Sequence, residues 1–342
     1  MSSFNAFHLG VAKFEVMRLF LLAILYVITF NLLNDCDKIS VFYGFIALAV
    51  LHVCTYSFYE AFVLHIPRPT GGTGNPNGLA IVANIGFALF LVLFLDVKGT
   101  LKRSYYFSGL AITSTAIFIS NARSGYLTLI FTLFFQLMRK KTVYAHYILV
   151  ALALLILLNV LPEFYTHRPG KFVSAIYERG FKAVEREPRY VLLRASIDIF
   201  LKHPVLGVGP WSFPKIYMEK YAHKYHGTRL FLVPHSGIWG LLAEFGFFAF
   251  VFFAGYVIST AYIFRKSAKL AELLKRPRER IAVLIAEATF WAFFAWGVFQ
   301  DIAAYRFAYV FPAIGAAMYS RLLKVSKEED EGAGNPPAVS GG

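Results

Sequence analysis

The chain has 342 residues, of which 58% are hydrophobic, 18% aromatic and only 16% charged, with a net charge of +14. That balance excludes a single soluble domain, and no His or Cys pair has zinc spacing and no GxxxxGK phosphate loop occurs. What remains is an all-α, polytopic integral membrane protein, with no cofactor, metal or nucleic-acid partner expected.

Apolar runs long enough to cross a bilayer as helices, roughly 18 residues each, set the organisation. They lie near 15–33, 40–64, 78–95, 104–120, 125–138, 143–161, 237–263, 281–299 and 303–322, which predicts about nine transmembrane helices. The 125–138 run is short and borrows from its flanks. The chain therefore divides into N-terminal transmembrane helices (1–161), one long outer loop (162–234), C-terminal transmembrane helices (235–325) and a tail (326–342). From Glu328 the tail is polar and rich in Gly and Pro, and it is expected to be disordered. No small-residue cleavage site follows the first apolar run, so no cleavable signal peptide is expected.

Lys and Arg in short loops mark the cytoplasmic side. Lys98, Lys102 and Arg103 form one such group, Arg139, Lys140 and Lys141 a second, and Arg265 to Arg280 a third. Arg321, Lys324 and Lys327 form the last. All fall on one side if the helices alternate. The loops holding Pro67–Asn77, Arg123, 162–234 and Asp301–Arg306 then face outward, as does the N-terminus. Lys13 and Arg18 leave the first run open to a second reading, an interfacial helix.

Gly71, Gly72 and Gly74 are turn chemistry ahead of a helix. Cys36 falls in an inward loop and Cys54 inside a helix, so neither suggests a disulfide. The long outer loop is basic. Within it Phe172, Ile176 and Val184 recur at helical spacing, which suits a short helix lying on the membrane surface. Pro188 fits the first turn of another helix. That helix carries Arg189, Leu192, Leu193, Ser196, Ile197 and Phe200 and stops at His203-Pro204. Leu206-Gly207-Val208-Gly209-Pro210 is a tight turn and not a nucleotide loop, because no strand precedes it. His203, His223 and His226 read as loop histidines.

Three residues stand out chemically. Arg123 sits in a short polar break, Asn121 to Gly125, between two apolar runs. A guanidinium there either snorkels to lipid headgroups or forms a fork for phosphate oxygens. Leu127, four residues on, shares its helix face and reads as packing. Arg189 opens the helix that faces the membrane, either as part of a lipid-attracted basic surface or as a second phosphate ligand. His235 lies where the outer loop enters a spanning helix. Its imidazole either hydrogen-bonds the loop or takes a proton near neutral pH. Eleven residues at helical pitch bring Gly246 within about 20° of His235, so Gly246 and Ala249 would open a notch for a neighbouring helix. Glu244 falls on the opposite face.

These segments also resemble a family. Arg123-Ser124-Gly125-Tyr126-Leu127 is similar to the Arg-x-x-x-Leu motif of bacterial O-antigen ligases and O-antigen polymerases. His235-Ser236, nine residues, then Gly246-Phe247-Phe248-Ala249 is similar to their His-(Asn/Ser/Gln)-x9-Gly-x-x-Gly motif, with Ala249 in place of the last glycine. His203-Pro204-Val205-Leu206-Gly207-Val208-Gly209-Pro210-Trp211-Ser212-Phe213 is similar to the His-Pro-Leu-x-Gly-x-Gly-x-x-x-Phe segment. Arg68 with Gly74 to Ala80 is similar to the Asn-Pro-Asn segment ahead of an early helix. Family members commonly have more spans than the nine read here, and the missing ones would lie N-terminal to the motifs.

The resemblance implies a glycosyltransferase at the periplasmic face of the bacterial inner membrane. Its donor would be a glycan on undecaprenyl pyrophosphate, and its acceptor a sugar hydroxyl of lipid A core or of a second lipid-linked glycan. Arg123 and Arg189 would hold the pyrophosphate, and His235 would activate the acceptor hydroxyl. Ligase, polymerase and protein O-glycosylation would use the same residues. A polyprenol-lipid transporter is the alternative from another class. It predicts internal repeats and midplane charges, and the sequence displays neither.

Overall fold

Two helices apolar on every side form the centre of the protein. In the computed structural model, which describes residues 9–140, 188–222, 232–298, 300 and 307–334, these are α3 (Pro76–Asp96) and α9 (Pro277–Gly297). α3 is buried almost continuously from Leu79 to Val92, and α9 from Ala282 to Phe290. A helix without a polar face has no stable place except inside a bundle or a membrane. Both start on proline at the first turn, where the missing N–H costs nothing. Asn75 caps α3, its side-chain oxygen accepting from the Gly78 N–H at 2.8 Å.

The remaining helices wrap this pair. They are α1 (Leu9–Leu32), α2 (Cys36–Phe62), α4 (Thr100–Ile119), α5 (Arg123–Lys140), α6 (Pro188–Lys202), the single turn α7 (Phe213–Ile216), α8 (Gly237–Leu273) and α10 (Phe307–Gly334). α2, α4, α5 and α9 pack on α3, while α5, α8 and α10 pack on α9 and α1 packs on α10. Among the described residues there is no strand, and Cys36 and Cys54 are buried free thiols.

Among the described residues five helices are long and apolar enough to cross a membrane: Lys13–Leu32 within α1, then α2, α3, α8 and α9. Their outer faces expose Phe20, Phe45, Phe252 and Ile258, side chains suited to lipid. The expected runs at 104–120, 125–138 and 303–322 are helical too, as α4, α5 and α10, but more polar. The expected span at 143–161, the surface helix through Phe172, Ile176 and Val184, and His223 and His226 lie outside the described residues.

Two boundaries differ from expectation. α8 continues past residue 263 to Leu273, because Phe264, Ser267, Ala268 and Ala271 are buried. α10 continues past Glu328 to Gly334, although polar composition favours a disordered tail there. Glu329 pairs with Arg276 at 3.6 Å, so a solvated charge becomes a tertiary contact.

Ion pairs tie one end of the bundle together. Arg278 meets Asp37 at 3.4 Å, Arg280 meets Asp96 at 3.5 Å and Arg321 meets Asp35 at 3.3 Å. The short connections α1–α2, α3–α4 and α8–α9 therefore share an end, the alternation that the basic loops predict. At the other end Glu60 accepts from the backbone N–H groups of Thr70 and Gly71 at 2.5 and 2.7 Å. Gly71, Gly72 and Gly74 adopt the left-handed turn conformation expected there.

α3 and α4 approach closely at Gly109, where an added Cβ would fall 2.7 Å from the Phe90 ring. Gly109→Leu is expected to cost about 1–3 kcal/mol by overpacking, seen as a lower Tm in detergent. Gly44→Leu is the control, since nothing lies within 4 Å of its added Cβ, and its Tm should stay within error of wild type.

Candidate active site

A break in α8 organises the site. Gly246 (φ 78°, ψ −175°) leaves helical geometry within α8, which frees backbone groups that need partners because the residue is buried. The segment after α6 supplies them. Val208 N–H donates to Ala243 O at 3.0 Å, Gly209 N–H donates to Glu244 O at 2.8 Å, and Phe247 N–H donates to Pro204 O at 2.8 Å. The Phe213 N–H adds a bond to Glu244 Oε1 at 3.2 Å.

Glycine is required on both sides of this clasp. Gly207 (φ 65°) would place a Cβ 2.4 Å from the Glu244 carbonyl carbon, and Gly246 would place one 2.4 Å from the Val205 carbonyl oxygen. The reading of Gly246 as a notch for a neighbouring helix is thus corrected, since its neighbour is the loop at Val205 and Gly207. An eleven-residue spacing maps onto one face only if the helix is unbroken.

The clasp carries its own small core. Val191, Leu192, Ala195 and Ile199 of α6 pack with Val208, Phe213, Ile216, Tyr217, Tyr221 and Ala243. This fixes α6, which begins at Pro188 and ends at Lys202, within one residue of the expected His203-Pro204 stop. Arg189, in its first turn, thereby comes within electrostatic reach of His235.

His235 immediately precedes Ser236, the residue that caps α8. Its backbone is left-handed (φ 49°) and its side chain is half-buried. The ring Nδ1 lies 3.4 Å from Oε1 of Gln300, just beyond α9. An amide oxygen only accepts, so the tautomer that makes this hydrogen bond carries its proton on Nδ1 and keeps the Nε2 lone pair. Burial holds the imidazole pKa below its ordinary value, the Arg189 charge lowers it further, and the Gln300 bond opposes both.

Arg123 is the first residue of α5, half-exposed, after left-handed Asn121 (φ 50°). α5 lies against α9, with the Phe135 and Trp291 rings 5.4 Å apart. Gln136 near the end of α5 shares a cavity with Leu284 near the start of α9. The helices are therefore antiparallel, and Arg123 sits at the same end of the bundle as Gln300. Arg189 acts on the imidazole, whereas Arg123 is not among the charges that do.

Leu127 is corrected. It is 47% exposed, and the buried face of α5 holds Ser124, Thr128, Thr132 and Gln136 instead. Glu244 is also corrected, since it lines the same cavity as His235. That cavity, of about 50 Å³, is further lined by Trp211, Pro214 and Pro234, and by Glu15 and Arg18 of α1. Gln300 and Glu15 carry no local sequence pattern that marks them. Backbone strain marks part of the site: among the described residues five non-glycine positions are left-handed, of which Trp211 and His235 line this cavity and Asn121 lies two residues before Arg123.

If the clasp holds the segment, the Val208 and Gly209 amides are protected from hydrogen exchange. Gly246→Ala should raise their exchange at least about tenfold, by local opening, while leaving α3 amides unchanged.

Among curated proteins, none matches the chain. The family model described as O-antigen ligase matches residues 108–254. That stretch runs from within α4 into α8 and contains Arg123, Arg189, the clasp and His235. Over those residues the chain is similar to the O-antigen ligase family.

Proposed function

We propose that the protein is an O-antigen ligase-type glycosyltransferase that moves a glycan from undecaprenyl pyrophosphate to a sugar hydroxyl of lipid A core. The observation that carries this reading is the His235 environment. A hydrogen bond from Nδ1 to Gln300 leaves Nε2 as the acceptor, and burial with the Arg189 charge favours the neutral ring, as a base at neutral pH requires. The family resemblance supplies the substrates. The basic composition of 162–234 favours a phosphorylated acceptor and hence ligase over polymerase, with protein O-glycosylation as the third variant.

In this reading Nε2 takes the acceptor hydroxyl proton as its oxygen bonds to the anomeric carbon. The bond from that carbon to the pyrophosphate breaks on the opposite face, and its electron pair stays on the leaving oxygen. Arg123 and Arg189 stabilise that growing charge, as guanidinium forks in a partly dehydrated site do. One displacement inverts the sugar configuration, and the imidazolium later loses its proton to water. The lipid-facing helices beside Arg123 would take the polyprenyl tail. The site would face the periplasm of a bacterial inner membrane, in a chain crossing it about nine times.

Purified protein in nanodiscs, given undecaprenyl-pyrophosphate-linked glycan and lipid A core, tests this. His235→Ala is expected to lower transfer about 10²–10⁴-fold, and Arg123→Ala and Arg189→Ala each about 10²–10³-fold. Excess EDTA should leave the rate unchanged. A ladder of longer lipid-linked chains would make the protein a polymerase. No product with either acceptor, or product undiminished in the variants, would sink the assignment and bring the transporter forward.

The pH profile tests the base separately. The acid limb of the rate should lie below the ordinary His value of 6.5. A nearby cation disfavours imidazolium, so Arg189→Gln should move that limb to higher pH, whereas Gln300→Leu, which removes an acceptor for imidazolium, should move it lower. An unmoved limb in both variants would mean that His235 is not the titrating group.

A further inference from the structure

The cavity below His235 receives two side chains from α1, outside the 108–254 region that carries the family match. Glu15 is 6% exposed, and Arg18 reaches it at 2.5 Å, one turn further along the helix. Arg18 Nε is buried without a hydrogen-bond partner. A carboxyl group buried in a membrane-length helix is expensive, even with its partner Arg18 32% exposed, and packing of α1 on α10 does not require one.

The chemistry of the whole lining narrows what it binds. Glu15 and Glu244 set two carboxyl groups against one guanidinium, beside a neutral imidazole and the Trp211 indole. Acidic groups outnumber cations, which disfavours a pyrophosphate. Carboxyl oxygens accept from hydroxyls, the open Arg18 Nε donates to one, and an indole offers an apolar face with a polar edge. A saccharide has that combination of hydroxyls and C–H faces. The space of about 50 Å³ takes the hydroxylated edge of a sugar ring, with the rest of the ring in the open mouth.

We propose that this cavity is the acceptor-saccharide subsite, with the Glu15–Arg18 pair of α1 selecting the sugar whose hydroxyl meets His235. This rests on the reading of His235 as the base. α1 is then a specificity element as well as a membrane span, and the donor pyrophosphate is held apart from the acceptor by charge: arginines for the one, a carboxyl-rich pocket for the other.

The test separates recognition from transfer. Core oligosaccharide released from lipopolysaccharide by mild acid is titrated calorimetrically into full-length protein in nanodiscs. Wild type is compared with Arg18→Gln, Glu15→Gln and the swapped pair E15R/R18E, which keeps an ion pair one turn apart and so controls for folding of α1. Binding to wild type, with Kd raised about tenfold in all three variants, is the expected result. In the transfer assay the acceptor KM should rise with the donor KM unchanged. The proposal is overturned if wild type binds no oligosaccharide at millimolar concentration, if the swapped pair binds as wild type does, or if the donor KM rises instead. Oligosaccharide binding that is lost in the variants, in a protein that transfers nothing, would uphold the subsite and remove the catalytic reading.

Discussion

The site depends on how the break in α8 is satisfied. A helix interrupted where its backbone is buried must place its freed groups on a partner, because a buried main-chain group left unpaired is costly. The partner is the Pro204–Gly209 strand of chain, which bonds to Ala243, Glu244 and Phe247 through main-chain atoms. Only glycines at 207 and 246 let the two backbones come that close. Once clasped, α6 has one place to pack, and Arg189 and His235 come within electrostatic reach.

The rest of the bundle serves as a frame for that contact. α3 and α9, buried on all sides, hold α5 and Gln300 in register, so Arg123 and the histidine's hydrogen-bond partner share one end. The opposite end is closed by Arg278, Arg280 and Arg321 on acidic residues of other helices. Exposed pairs of this kind contribute little individually. Their value is in setting which loops lie together, at the end opposite the candidate site.

Most helices and the chain positions of the three candidate residues are readable in the sequence, since an apolar run of sufficient length and a charge at its end are local signals. The 125–138 run shows the limit. Its helix is present, but apolarity suggests that Leu127 packs, and in fact the hydroxyl-bearing face is buried and Leu127 faces outward. In a membrane setting both faces are apolar enough that periodicity does not identify the inner one. Gly246 fails differently, since the spacing argument assumes a continuous helix and the glycine is where the helix is not continuous.

What the sequence by itself determined is the all-helical class, most of the described helices, the basic end and the family motifs, because each follows from composition or from residues adjacent in the chain. Only the tertiary structure decided that Gly207 and Gly246 face each other, that Gln300 holds His235, and that Glu15 and Arg18 reach the same cavity. Those contacts join residues 39, 65 and more than 200 positions apart. Nothing in the local pattern encodes such pairings, which come from the packing of whole helices around a buried pair.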